Sequence, residues 1–241
     1  MAQIIEIKED NQIVVIGIIT FLILSIILYV IYPGLKTATG IYGFLCLISL
    51  GIYTNPAFQD YLYGIQKSLK TFLWIGAGIG IGLGYIILTR LVPGMSMGLP
   101  LVPQSVDSSL RWVIICVFAP FIEDVLRFSI LGLVLYLRRK DGISKGELWL
   151  AIILQGLFFV ILHATSYAAG WYQAPTWLGA FTIISAVQGS LIAAGIFALI
   201  SGYFVSRDGV KNITISIVAH FVINSILFAQ FAVVGLNIGG L

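Results

Sequence analysis

The chain has 241 residues, of which 59% are hydrophobic and 10% are charged. Soluble domains carry about a quarter charged residues, so this composition excludes an ordinary soluble protein and predicts an integral membrane protein in contact with the lipid bilayer. The net charge of +3, without a basic cluster beyond loop size, gives no indication of nucleic-acid binding. Cys46 and Cys116 lie inside apolar runs and are expected to be small buried residues, not a disulfide or a metal pair.

Seven apolar runs divide the chain. They cover residues 12–32, 39–53, 71–91, 112–137, 148–168, 178–205 and 213–233. About 20 apolar residues cross a bilayer as an α-helix. We therefore predict an all-α polytopic membrane protein, in which residues 1–241 form one transmembrane domain with about seven helices in one bundle. An eighth span would arise if a segment before Pro56 or around Leu101 enters the bilayer.

The beginning of the chain gives two further expectations. The run 12–32 is too long for the core of a signal peptide, and no small-residue cleavage site follows it, so it is expected to be a retained span. The connection from residue 57 to residue 70 carries lysines at its end and is expected to lie at the surface.

Glycines alternate along the third apolar run. A nucleotide-binding loop would need a strand before it and a helix after it, whereas these glycines lie within one apolar span. Small residues four apart allow two helices to approach closely. We therefore predict helix packing through the face that carries Gly76, Gly80 and Gly84, with Gly78 and Gly82 at its flanks.

The charges of the connections predict an orientation in the membrane. Lysine and arginine are enriched in cytoplasmic loops. Applied here, this rule places the amino terminus in the cytoplasm and the carboxyl terminus outside, in what we expect to be the cell membrane, whereas Arg90 and Arg111 fall on the outer side and count against it. The supporting observations are the basic residues Lys67, Lys70, Arg138, Arg139, Lys140, Lys145, Arg207 and Lys211, and the uncharged loop 166–177.

The fourth run contains ionisable residues in its middle. Glu123, Asp124 and Arg127 lie within one helical turn of one another, so the arginine can pair with either acid. Charged groups at such depth are costly and indicate a functional site by default, although a purely structural ion pair would give the same pattern. Pro120 cannot donate to the carbonyl of Cys116, which predicts a perturbed helix with room for water.

The two histidines of the chain lie in two other apolar runs. His163 follows Phe159 by four residues, and His220 precedes Asn224 by four, so each pair shares a helix face. One intramembrane histidine is often a packing residue. Two of them in separate spans, beside a span with buried acids, favour a polar site within the membrane.

These motifs resemble those of the CAAX protease and bacteriocin-processing family of intramembrane proteases (CPBP, or Abi). The family has two adjacent Glu followed by Arg, then Phe-x-x-x-His, then His-x-x-x-Asn or Asp, and this chain has the three motifs in that order on separate helices. The resemblance covers the chain from about residue 111 onward, with residues 111–233 as the core that carries the motifs. It implies an endopeptidase that cleaves a membrane-associated peptide or protein, such as a prenylated CAAX-like tail or a leader peptide, without a cofactor.

The resemblance also implies a role for each motif residue. Glu123, helped by His163, would activate a water, and His220 and Asn224 would stabilise the oxyanion. Arg127 would orient the acids, with Asp124 and Phe159 as supporting residues.

One departure from the family leaves two alignments open. The family arginine usually comes five residues after the first Glu, whereas Arg127 comes four after Glu123, and the second acid here is Asp124. An alignment on Pro120 makes Glu123 the catalytic acid. An alignment on Arg127 puts Ile122 at that position and describes an inactive relative. We favour the first alignment, because it accounts for both acids.

Two other functions remain open. Two His and one carboxylate can bind zinc with an open position, but no His-Glu-x-x-His pattern is present and the histidines come from different runs, which favours a metal-independent enzyme. A scaffold or a proton-coupled transporter could use the same buried polar groups. A transporter would favour repeated halves and paired broken helices, and the sequence has neither.

Overall fold

A computed structural model describes residues 7–66, 70–92, 107–138, 143–168, 177–207 and 212–234. Within these ranges the regular elements are helical, which confirms the predicted class. Single 3₁₀ turns flank α2. The α-helices are α1 (Glu9–Ile31), α2 (Lys36–Tyr53), α3 (Lys70–Leu91), α4 (Ser108–Trp112), α5 (Ala119–Leu137), α6 (Lys145–Ala168), α7 (Trp177–Ser206) and α8 (Thr214–Val234).

Four of these helices are long and apolar enough to cross a membrane. They are α1, α3, residues Lys145–His163 of α6 and residues Gly189–Ser206 of α7. Two shorter apolar stretches, Thr39–Tyr53 and Thr214–Gln230, lie in α2 and α8. The helix α5 is not among the four, since it carries three charged residues. The chain is thus an integral membrane protein, and the number of helices that cross the bilayer stays a prediction.

The predicted fourth span consists of three helical pieces. The short α4 continues into a π-helical stretch, Val113–Phe118, which leads directly into α5. The N–H of Ala119 donates to the carbonyl of Ile114, five residues back. In this register the next residue, Pro120, would have to donate to the carbonyl of Ile115, but proline has no N–H. The perturbation expected at Pro120 is therefore a widened helical turn with one carbonyl left without its helical donor.

The helix α5 is central in the bundle. It packs against α2, α6 and α8, while α3 lies along α8 and α6 lies along α7. Most of the side chains of α5 are buried, including all three of its charged residues. A helix that is buried on all sides must satisfy its polar groups within the protein, so the neighbours of α5 determine what its charges contact.

The glycines of α3 pack against α8 through the face opposite to the predicted one. A Cβ on Gly78 would lie 2.8 Å from a backbone oxygen of α8, and one on Gly82 would lie 2.9 Å from another. A Cβ on Gly76, Gly80 or Gly84 would meet no atom of the described residues within 4 Å. The prediction of close helix packing is confirmed, but the predicted face was wrong.

Residues 62–64 of the connection after α2 are buried, so the prediction of a surface segment was wrong for them. Tyr63 is 3% exposed, and its carbonyl accepts a hydrogen bond of 2.6 Å from the hydroxyl of Tyr53. The carbonyl of Gly64 accepts from the N–H of Ile213 at 3.0 Å, just before α8. A Cβ on Gly64 would lie 2.4 Å from the carbonyl oxygen of Asp10, so only glycine fits there. Residues 61–65 thus make backbone contacts with the starts of both α1 and α8.

Several residues behind the predicted orientation lie outside the described ranges. They are Lys67, Arg139, Lys140, Lys211 and residues 169–176 of the uncharged loop. The region around Leu101, named for an eighth span, lies outside them as well. The orientation of the chain in the membrane therefore stays a prediction.

Candidate active site

A cavity with about 50 Å³ of space lies between α3, α6, α7 and α8. Three of the predicted catalytic residues line it, one from α6 and two from α8. Aromatic, aliphatic and hydroxyl side chains complete the wall. The lining residues are Tyr85, Phe159, His163, Ser190, Ala193, Ala194, Phe197, His220, Ile223, Asn224 and Leu227.

The backbone of α6 positions the His163 ring at this cavity. Its Nδ1 lies 3.0 Å from the carbonyl oxygen of Phe159, one turn earlier. A carbonyl oxygen can only accept, so Nδ1 carries a proton in this contact. The Phe159 ring lies against both histidines, with ring centroids 4.3 Å from His163 and 5.6 Å from His220. The spacing Phe-x-x-x-His therefore gives the imidazole a defined orientation at the cavity.

The second histidine, His220, lies beside the second acid of α5. Its Nδ1 is 3.6 Å from Oδ1 of Asp124, which is too long for a hydrogen bond. Nδ1 has no hydrogen-bond partner among the described residues, although it is buried. The Ser216 hydroxyl, one turn earlier on α8, donates to Oδ2 of Asp124 at 2.9 Å. The carboxylate of Asp124 thus connects α5 to the histidine of α8.

Among the residues that the structure describes, the side chain of Arg127 makes the most side-chain hydrogen bonds, and it has no exposed surface. Its Nη2 lies 2.7 Å from Oδ1 of Asp124, and its Nε donates to the same oxygen at 3.0 Å. Further donors of the guanidinium reach α6, α7 and α8. The acceptors are Oε1 of Gln155 at 3.2 Å, the carbonyl of Ala198 at 3.2 Å, the hydroxyl of Ser201 at 2.9 Å, and the hydroxyl of Ser216.

Aromatic rings enclose the remaining faces of this guanidinium. The central carbon of Arg127 lies 4.7 Å from the ring centroid of Phe128, 4.9 Å from that of Phe159 and 5.4 Å from that of Phe197. Rings attract a desolvated cation through their negative faces. One of these rings, Phe159, also touches both histidines, so the packing of the cation and of the site depends on the same side chain.

The pairing of Arg127 differs from the direct bridge to Glu123 that the spacing allowed. Within the described chain, Arg127 forms its ion pair with Asp124 only. Residues three apart are neighbours on a helix, and Asp124 is also the acid that points toward Ser216 and His220. Asp124 therefore has a larger structural role than the sequence indicated.

The carboxylate of Glu123 faces α2. Its Oε1 accepts a hydrogen bond of 3.0 Å from the hydroxyl of Tyr42, and the side chain is 9% exposed. Glu123 is not among the residues that line the cavity. The structure thus brings His163, His220 and Asn224 together and leaves the predicted base beside them, turned toward another helix.

The amide of Asn224 completes the widened turn before α5. Its Nδ2 donates to the carbonyl oxygen of Ile115 at 2.8 Å. This is the carbonyl that Pro120 cannot pair in the π-helical register. Asn224 has two amide hydrogens, so the second N–H remains a donor for a ligand in the cavity that the side chain lines.

Sequence reasoning missed several polar residues around the site. Gln155, Ser201 and Ser216 are fully buried and bind the guanidinium of Arg127, and Tyr42 binds Glu123. Each was visible as a single polar residue within an apolar run. Tyr85 bonds from α3 to the carbonyl of Ala193 on α7 and closes one wall of the cavity.

The described residues contain no group of three His, Cys, Asp or Glu side chains close enough to hold a metal ion. The zinc site that the sequence left open would have needed both histidines and one carboxylate at a common point. The acid nearest to His220, Asp124, is instead bonded to Arg127 and Ser216.

No curated protein and no solved structure matches this chain. A family model does match, over residues 105–226, and its description is "Type II CAAX prenyl endopeptidase Rce1-like". The match spans the three motifs, and it implies a membrane-embedded protease with a membrane-associated substrate. It confirms the resemblance that the motifs indicated. The chain therefore belongs to the Rce1-like family of type II CAAX prenyl endopeptidases.

Proposed function

We propose that this protein is a metal-independent intramembrane endopeptidase in which Glu123 and His163 activate the attacking water. The observation that supports this proposal most strongly is the single cavity that His163, His220 and Asn224 line together. A peptide bond that enters this cavity would meet the imidazole of His163 together with the N–H donors of Asn224 and His220. These are the two kinds of group that hydrolysis of an amide requires.

The proposed reaction has two steps. Water adds to the scissile carbonyl carbon while its proton passes to the Glu123 carboxylate, with His163 orienting the water. The negative charge that develops on the carbonyl oxygen accepts hydrogen bonds from the free N–H of Asn224 and from the His220 ring. The tetrahedral intermediate then collapses, the carbon–nitrogen bond breaks, and the proton held by Glu123 passes to the leaving amine.

Glu123 suits the role of base better than Asp124 because its negative charge is less neutralised. Asp124 has no exposed surface and pairs with Arg127 and Ser216. Among the described residues, Glu123 accepts one hydrogen bond, from the neutral hydroxyl of Tyr42. In this proposal the Glu123 carboxylate turns from Tyr42 toward the cavity when the substrate is bound, and Asp124 positions His220.

We also propose that the substrate is a membrane-associated peptide tail and that the protein resides in the cell membrane with a cytoplasmic amino terminus. The aromatic and aliphatic wall of the cavity suits apolar residues around the scissile bond. The family description supports a prenylated tail, while a leader peptide is the second candidate of the same chemistry.

The test is cleavage of a prenylated peptide by the purified full-length protein. Glu123→Gln, His163→Ala and His220→Ala are each expected to lower kcat at least about a hundredfold, which is typical for loss of an acid–base or oxyanion group. Asp124→Asn is expected to lower it less, because Asp124 does not carry the proton. Chelator is expected to change the rate little.

Controls separate loss of chemistry from loss of fold. Each variant should purify with the same far-ultraviolet circular dichroism and elution volume as wild type. Full activity of Glu123→Gln together with an inactive Asp124→Asn would assign the base to Asp124. Inhibition by chelator with recovery on adding zinc would support a metal enzyme instead. If none of the variants changes the rate, the buried charges only hold helices together.

A further inference from the structure

The guanidinium of Arg111, which is partly exposed, lies against α8 near the candidate site. Its central carbon lies 5.9 Å from the ring centroid of Phe228. Its Nε is buried and has no hydrogen-bond partner in the part of the chain that the structure describes. A buried donor without a partner is costly, and in a native protein such a donor calls for an explanation. The positive-inside rule does not account for the position of Arg111 either, because the predicted orientation places it on the outer side.

The position of Arg111 relative to the site follows from two helices. Arg111 precedes Ile115 by four residues, and Phe228 follows Asn224 by four. The Asn224 amide bonds to the Ile115 carbonyl, so the two helices are in register at that level. One turn away from this bond, toward the start of α4 and the end of α8, the Arg111 guanidinium lies against the ring of Phe228. The guanidinium therefore lies about one helical turn, or roughly 5–6 Å, beyond Asn224.

The nearby groups leave the Arg111 charge available. The closest acid in sequence, Asp107, caps α4 by accepting from the N–H groups of Ser109 and Leu110. Among the described residues, no carboxylate forms an ion pair with Arg111. The other arginine at this end of α8, Arg90, is exposed and donates to Oε1 of Gln230 at 2.7 Å. Of the two cations, Arg111 is the one with a buried donor, Nε, that lacks an acceptor among the described residues.

We propose that Arg111 binds the C-terminal carboxylate of the peptide that this protein cleaves. This inference rests on the proposed function. An extended peptide advances about 3.3 Å per residue, so a gap of one helical turn, with a hydrogen bond of about 3 Å at each end, corresponds to about three residues between the scissile carbonyl and the anion. A terminal carboxylate is the one anion that every short leaving fragment carries, whatever its side chains. A guanidinium binds it through two parallel hydrogen bonds.

The binding of a terminal carboxylate would make the protein selective for sites near the end of a chain. Cleavage in the interior of a long segment would leave Arg111 without an acceptor and would place an uncharged peptide against it. The distance from the scissile bond to the carboxyl end would then determine substrate specificity, together with the recognition of apolar residues.

The test uses two fluorescent probe peptides that differ in one group. Both carry a prenylated cysteine followed by three residues, and one ends in a carboxylate while the other ends in a carboxamide. A charge-assisted hydrogen bond is worth about 1.5–3 kcal/mol, so wild type is expected to prefer the carboxylate probe by roughly ten- to a hundredfold in kcat/KM, mainly through KM. Arg111→Gln should remove this preference, and Arg111→Lys should retain part of it.

Arg90→Gln is the matched control, because Arg90 lies at the same end of α8 and already has a partner. It is expected to keep the preference. Equal rates for the two probes with wild type would overturn the proposal. Loss of the preference in Arg90→Gln would overturn it as well, because it would show that the positive potential of the whole surface, and not Arg111 alone, attracts the carboxylate. A third probe, a carboxamide whose last residue is glutamate, should not regain full affinity. If it does, the site reads a side-chain carboxylate.

A binding arm distinguishes failure of this inference from failure of the proposed function. The affinity of the Glu123→Gln protein for each probe is measured by anisotropy in nanodiscs, without cleavage. A carboxylate preference in binding that Arg111→Gln removes, with no cleavage by wild type, would refute the protease and keep the carboxylate site. Cleavage by wild type at equal rates for the two probes would support the protease and refute the carboxylate site.

Discussion

Replacement of Arg127 by leucine is expected to destabilise the protein severely. The substitution removes the cation but leaves the carboxylate of Asp124 fully buried, with the hydroxyl of Ser216 as its remaining hydrogen-bond donor. It also leaves Oε1 of Gln155 without its donor. Breaking a buried ion pair by removing one partner costs about 3–5 kcal/mol, because the other charge stays buried. That is a large part of the stability of most proteins.

The assay is unfolding of the purified protein in mixed micelles, followed by circular dichroism during titration with a denaturing detergent. Arg138→Leu is the matched control, since Arg138 lies at the end of the same helix but is 58% exposed and 3.5 Å from Glu147. An exposed pair of this kind contributes about 0–1 kcal/mol. An Arg127→Leu protein that unfolds within about 1 kcal/mol of wild type would refute the reasoning.

A double variant tests the cause of the loss. Changing Asp124 and Arg127 together to leucine removes both charges, and replacing a whole buried pair with apolar residues is often close to neutral. We expect this variant to recover most of the stability that Arg127→Leu loses. It should still cleave peptide poorly, because the carboxylate beside His220 is gone. Recovery of stability without recovery of activity would separate the two roles of Asp124.

Three further outcomes are expected. Gly82→Ala should lower stability by about 1–3 kcal/mol, since its Cβ would press on the backbone of α8, whereas Gly80→Ala should not, and unfolding in micelles compares them. Tyr42→Phe should leave kcat unchanged or raise it up to about fivefold by releasing the carboxylate that it holds, and a fall in kcat would show that the bond is needed during the reaction. Impermeant thiol reagents should label Ile143→Cys from the cytoplasmic side and Ser108→Cys from the other, and the reverse pattern would invert the predicted orientation.

The sequence predicted the helices well because apolar runs and their polar interruptions determine helix boundaries directly. The first run was predicted at residues 12–32 and is observed at Glu9–Ile31, and the last was predicted at 213–233 and is observed at Thr214–Val234. The sequence also favoured a polar site within the membrane, and the structure places both histidines and Asn224 at one cavity.

The sequence could not predict which neighbour each helix face would meet. The glycines of α3 alternate, so two opposite faces of this helix carry small residues, and only the position of α8 shows that Gly78 and Gly82 are the packing pair. The same limit applies to the segment after α2. Its lysines at 67 and 70 indicated a surface, while its contacts are made by backbone groups, such as the Gly64 carbonyl, that leave no pattern in side-chain hydropathy.

The two adjacent acids of α5 show why the role of a buried charged residue has to be inferred from the groups that it contacts. Neighbouring residues on a helix point about 100° apart, so Glu123 and Asp124 must face different helices. Asp124 points toward α8 and shares the cation with Ser216, while Glu123 points toward α2 and a neutral tyrosine. The environment that neutralises one acid leaves the other available for proton transfer. The spacing allowed Arg127 to pair with either acid, but the helix neighbours of Arg127 determine the pairing, and they leave Glu123 as the base that we propose.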